Sequence, residues 1–164
     1  MKVLLLLLIV VNIVFQSTVL HNFQILGIIP NIPLLLVVSL SIYLGKVKGS
    51  IVGFLFGIFQ DISFGPIIGL NAFIFLIIGY MVGLMDEKFF KDNYIIPILL
   101  TAAATIAYES ISIMFIYFLG YNIDILSINT QIVTTQMIYN SILSIPTYYY
   151  VSKVLKSKTV KNRF

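Results

Sequence analysis

Six long apolar runs, and the distribution of ten basic residues among their breaks, constrain this chain more than any other feature. The runs cover about 3–20, 31–44, 49–64, 67–84, 94–119 and 131–151. A helix needs about 20 predominantly apolar residues to cross roughly 30 Å of hydrocarbon. The third run, of about 16 residues, is the weakest candidate and predicts a short span shielded by its neighbours. Composition agrees: 60% of the 164 residues are hydrophobic and only 10% are charged. A soluble domain carries roughly a quarter charged residues, so this chain cannot cover a globular surface with water-facing groups. The reading is an all-α, polytopic integral membrane protein with a six-helix transmembrane bundle over residues 1–152 and a basic tail over 153–164.

Orientation follows from the basic residues. Lys2, Lys46, Lys48, Lys88, Lys91 and the tail residues Lys153, Lys156, Lys158, Lys161 and Arg163 are all ten of the Lys and Arg residues. With six spans they share one side, and none falls in the three opposite loops. The excess of Lys and Arg in cytoplasmic loops then places both termini in the cytoplasm. Met1-Lys2 and the apolar run behind it resemble the start of a signal peptide. No A-x-A-like cleavage site follows, so the run reads as a retained first helix.

The stretch from Gly45 to Asp61, GKVKGSIVGFLFGIFQD, carries the strongest internal pattern. Gly45, Gly49, Gly53 and Gly57 recur every fourth residue, with Asp61 one step further and no charge between Gly49 and Gln60. Residues four apart lie along one side of a helix, so the glycines form a smooth groove. Each Gly costs roughly 1 kcal/mol against Ala in a helix interior. In a membrane, the usual compensation is close approach of another helix backbone. Gly79 and Gly83 repeat the spacing in the fourth run. The occupant of the groove is either another helix of this bundle or a helix of a partner.

Six polar residues stand inside or at the edges of the apolar runs: Asn12, Gln16, Asp61, Asn71, Glu109 and Asn140. A lone acid in the membrane is costly and faces the bundle interior or water. Two readings of Asp61 and Glu109 stand. One is a ligand or coupling-ion site between the third and fifth spans. The other is structural, with hydrogen bonds to Asn12, Gln16, Asn71, Thr105 or Asn140, or with Asp61 capping a helix end near Asn71. The chain has no cysteine and a single histidine, His21, so thiol chemistry, a His-based metal site and a His-dependent triad are not available to it. No phosphate loop, paired catalytic carboxylates or serine elbow appears. The sequence therefore points to no enzyme chemistry and no cofactor. The basic tail suits anionic lipid headgroups, at about 1 kcal/mol per Lys near the surface, and is too short for nucleic-acid binding.

Several short motifs resemble one family. Gln16-Ser17-Thr18, Gly27-Ile28-Ile29-Pro30-Asn31, Gly45 and Gly49, Gly53-Phe54-x-x-Gly57-x-x-x-Asp61, Gly65, and Gly69-Leu70 are similar to the pattern of the rod shape-determining protein MreD family. The six-span outline and basic C-terminus resemble it too. The resemblance adds Pro30, Asn31, Phe54 and Gly69 as family-motif residues. The resemblance implies a non-enzymatic membrane scaffold of the cell-elongation complex, linking cytoskeleton to lateral peptidoglycan synthesis and so maintaining cell shape. It implies MreC as the nearest partner, with MreB, RodA and its class B penicillin-binding protein in the same complex. It further implies a bundle similar to the substrate-binding components of energy-coupling-factor transporters, and with it an alternative function as a vitamin-binding transport subunit. Those components typically carry an Ala-x-x-x-Ala type patch in their first helix. Residues 3–20 contain no Ala, which weighs against the alternative.

Overall fold

The computed structural model describes residues 28–65, 67–85, 95–120 and 130–161, with side chains up to 155. Over these residues the chain is helical: α1, Ile32–Phe64; α2, Leu70–Gly83; α3, Ile95–Phe118; and α4, Thr130–Lys161. The expected all-α architecture is thus met, but the described residues do not show the expected six-helix bundle. Four helices are present among the described residues, and the expected second and third spans are joined in α1. The first span, with Asn12 and Gln16, lies outside the described residues, as do the loops at 86–94 and 121–129.

α1 starts where the sequence supplies a cap and a proline. The Asn31 side chain accepts from Leu34 N at 3.1 Å, and Pro33 sits in the first turn, where its missing N–H is not needed. Only Gly45 leaves the helix, with φ 75° and ψ 175°. That conformation is essentially confined to glycine. The turn expected over 45–48 therefore shrinks to one residue, and Lys46 and Lys48 already belong to the next helical arm.

At Gly45 the rod folds back on itself. A Cβ on Gly49 would lie 2.8 Å from Ser41 Oγ, whereas eight residues along a straight helix span about 12 Å. α1 is thus two arms, 32–44 and 46–64, and its two ends, Asn31 and Asp61, reach one cluster. The first arm is the centre of the fold: every residue from Pro33 to Ile42 is buried. A helix apolar all round is stable only when it is enclosed in this way. Leu34, Val37, Val38, Phe56, Ile74, Phe75 and Ile78 form the heart of the core, joined by Ala104 of α3 and by Tyr148 and Val151 of α4.

The outer surface is as apolar as the interior. Ile51, Ile68, Met81, Leu99, Phe118, Ile142 and Tyr150 are each more than half exposed. α1 and α3 are long and apolar enough to cross a membrane, and the 14-residue α2 is apolar but shorter.

α4 contains Pro146, at which the sequence predicts a kink or break. The helix is not broken there and continues to Lys161, so much of the expected tail is its last turns. Proline removes one helical hydrogen bond. Nearby hydroxyls bond to backbone carbonyls within the preceding turn: Thr147 Oγ1 donates to Leu143 O at 2.8 Å, and Ser144 Oγ to Ser141 O at 2.7 Å.

Candidate functional site

The glycine groove faces α2. A Cβ at Gly53 would collide with the Phe75 carbonyl oxygen and lie 2.6 Å from its carbon. At Gly49 it would lie 2.7 Å from Gly79 O, and at Gly57 2.5 Å from Ala72 N. The opposing glycines are equally confined: Gly79 meets the Gly49 carbonyl, and a Cβ on Gly83 would lie 2.6 Å from Lys46 N. Backbones at such separation leave no room for a side chain, which is how glycine series bring membrane helices together. Phe54 stands off this seam and is 41% exposed.

This register delivers Asp61 to the start of α2. Gly69, at the N-cap, has φ 101° and no side chain with which to cap the helix. The first N–H groups of any helix need outside acceptors, and Asp61 provides them. Its Oδ2 accepts from Gly69 N at 2.9 Å and Ala72 N at 3.1 Å. Its Oδ1 accepts from Asn71 N at 3.1 Å and Asn71 Nδ2 at 2.8 Å. The carboxylate is only 2% exposed, and its charge stands at the positive end of the helix dipole. Gly65 closes over it, since a Cβ there would lie 2.8 Å from Asp61 Cα.

From Asp61 the hydrogen bonds run across the fold. Tyr108 of α3 donates its hydroxyl to Asn71 Oδ1 at 2.7 Å. The Tyr108 ring packs on Phe75 of α2, with centroids 5.5 Å apart. Asn31 N donates to Asn140 Oδ1 of α4 at 3.0 Å, and Asn140 Nδ2 donates to Thr105 Oγ1 of α3 at 3.1 Å. Thr105 in turn donates to Thr101 O at 2.9 Å. Asn31, Asp61, Asn71, Thr101, Thr105 and Asn140 are all buried. Two runs of hydrogen bonds meeting at α3 therefore tie the ends of α1: Asp61 through Asn71 to Tyr108, and Asn31 through Asn140 to Thr105.

Glu109 is not joined directly to Asp61. It is half-buried and lies beside Gln136 of α4. Thr101, Thr105 and Glu109 recur every fourth residue on α3, and Gln136, Asn140 and Ser144 do so on α4. With the helices antiparallel, these rows form a polar seam. Glu109→Gln should keep the contact and the fold. Glu109→Leu should lower the thermal midpoint of the purified protein by a few degrees, since a membrane hydrogen bond contributes about 0.6 kcal/mol and at most about 1.7. Equal midpoints for wild type and the Leu variant would show that the pair holds nothing.

Among the described residues no group of three His, Cys, Asp or Glu side chains is placed to hold a metal ion. Sequence reasoning singled out Asp61, Asn71, Glu109 and Asn140, and Gly65 as a motif position, but missed Tyr108 and Gln136. The four-residue spacing of Thr101, Thr105 and Glu109 is the signal that would have drawn attention to the Tyr108 turn. The motif residues now have places: Gly53 and Gly57 admit α2, Asp61 caps it, Gly69 starts it, and Asn31 caps α1. Pro30 is buried beside Asn31.

Residues 1–158 match the family model described as rod shape-determining protein MreD. No curated protein matches the chain. No solved structure matches it either, so the expected likeness to energy-coupling-factor components has no structural match behind it.

Proposed function

The chain belongs to the MreD family, a family of membrane proteins that determine rod shape, and on that premise we propose that it is a non-enzymatic scaffold of the cell-elongation complex. In this reading it links the cytoskeleton to lateral peptidoglycan synthesis. MreC is the direct partner, and MreB, RodA and its class B penicillin-binding protein are members of the same assembly. One observation carries the reading. The principal buried acid, Asp61, accepts four hydrogen bonds from the protein itself and is 2% exposed. That is the build of a fixed framework rather than of a site that opens to a ligand.

Affinity capture of a tagged copy from membranes, followed by mass spectrometry, tests the proposal. MreC should be the most enriched protein. Enrichment of a transport ATPase, together with a small molecule bound to the purified chain, would replace the scaffold with the transport subunit.

The topology that accompanies this reading is six spans with both termini in the cytoplasm and the basic C-terminal residues against anionic headgroups. A reporter fused after Leu155 should register cytoplasm, and one near Asn122 should register the outside. The reverse at either point would sink the six-span arrangement.

A further inference from the structure

α4 and the first arm of α1 do not close on each other along their whole length. They run the same way: Asn140 meets Asn31, and further along Tyr148 stacks on Tyr43 with centroids 5.5 Å apart. Beside this contact a cavity of about 240 Å³ remains between Ile32, Leu36 and Leu40 of the arm and Thr147, Tyr150 and Val151 of α4. Leu40 and Val151 are buried at its floor, whereas Tyr150 at its rim is 67% exposed. Protein interiors contain few voids larger than a water molecule, and an apolar space of this size does not hold water. Its occupant has to be apolar.

The groove is short and lies toward one side of the membrane. It runs from Thr147 to Leu155 along α4, about 12 Å, which is less than half of roughly 30 Å of hydrocarbon. Its end near Leu155 adjoins Lys153, which is exposed. Lysine marks the cytoplasmic boundary, and the amphipathic ring of Tyr150 suits the same level. The groove therefore opens into the leaflet on the side of the basic residues.

Charge continues the line of the groove. α4 is helical as far as Lys161. Steps of three and four residues stay on one side of a helix, and the series Thr147, Val151, Val154, Lys158, Lys161 takes only such steps. The side of α4 that is apolar along the groove thus becomes cationic one turn beyond it. An apolar slot less than half a bilayer deep, ending in two cations, matches a single acyl chain joined to an anionic headgroup.

We propose that this groove seats one acyl chain of an anionic phospholipid of the cytoplasmic leaflet, with its phosphate at the level of Lys158 and Lys161. The proposal rests on the membrane location and cytoplasmic C-terminus of the proposed function, and turns a general contact with headgroups into a site. An acyl chain gains little by leaving other acyl chains, which are as apolar as leucine. The headgroup therefore sets the preference, and lysines near the surface favour anionic lipid.

The chain has no tryptophan, so Tyr150→Trp provides a single indole at the rim of the groove. The full-length variant is reconstituted in vesicles of phosphatidylcholine and phosphatidylglycerol, one of which carries brominated chains that quench an adjacent indole. Brominated phosphatidylglycerol should quench several-fold more effectively than brominated phosphatidylcholine at the same mole fraction. Leu99→Trp, at a position 62% exposed on α3, is the reference and should show no preference. Lys158→Ala together with Lys161→Ala should remove the preference at Tyr150→Trp. Equal quenching by both lipids at Tyr150→Trp overturns the proposal, since ordinary bilayer contact would account for it. Quenching by neither, with normal quenching at Leu99→Trp, also overturns it, because the run over 3–20 or a second copy would then fill the groove. A preference that survives the double alanine change, or that Leu99→Trp shares, overturns it in favour of general surface charge. No quenching at either indole would remove the membrane reading itself, and the proposal with it. Val154→Trp, at a position 40% exposed, is the second reporter, read by the same criteria should Tyr150→Trp fail to reconstitute.

Discussion

Gly53→Leu should nearly abolish the accumulation of folded protein in the membrane. A Cβ at this position alone collides with the Phe75 carbonyl of α2, and leucine adds three more carbons behind it. The obstacle is backbone, so no rotamer change relieves it. Overpacking a well-filled core typically costs 1–3 kcal/mol, and separating α1 from α2 adds the loss of the contacts along the whole seam. Even Gly53→Ala should lower the thermal midpoint and the folded yield. Ile51, two residues away, is 54% exposed, and Ile51→Leu should change neither. The measurement is monodisperse protein recovered after mild detergent extraction, together with its thermal midpoint. Normal yield and midpoint for Gly53→Leu would mean that the glycine seam has no packing role. Normal yield with lost capture of MreC would mean that the groove serves a partner and not α2.

Asp61→Leu should be comparably severe, for an electrostatic reason. It removes the acceptor of three backbone N–H groups and of the Asn71 side-chain amide. An unsatisfied buried donor costs about 1–3 kcal/mol, so the three backbone groups together cost at least about 3 kcal/mol. The start of α2 should fray, and Asn71 should lose the orientation in which it accepts from Tyr108. Asp61→Asn keeps one oxygen and should retain a substantial part of the stability, below wild type and well above the Leu variant. Thermal midpoints of the three proteins give the ranking. An Asn variant with normal midpoint and abundance that fails to maintain cell shape would contradict the structural role. The charge itself would then be needed, and a ligand or ion at this site would become the better account.

Membrane residence and helical architecture were legible in the sequence, because both depend on composition and on run length. A chain with 10% charged residues has no alternative to an apolar solvent, and only internally bonded backbone survives there. The break near Gly45 was legible for a local reason: glycines flanked by lysines interrupt an apolar run. Spacing also placed Gly49, Gly53 and Gly57 on one side of a helix, since four-residue periodicity is a property of the helix itself, but it counted Gly45 with them, and Gly45 is the non-helical turn instead.

The partner of that side was not contained in the spacing. An internal helix and an external one demand the same smooth surface, and only the register of Gly49 on Gly79 and of Gly53 on Phe75 assigns the groove to α2. Asp61 illustrates the same limit. Its partners lie eight to eleven residues away, across a turn whose path follows no period, so ligand site and helix cap looked alike. The bond from Asn31 to Asn140 crosses 109 residues of sequence. Nothing local relates those two positions. They meet because the fold-back at Gly45 and the packing of α4 bring both to one depth, where the buried Asn31 backbone N–H finds its acceptor in the Asn140 side chain.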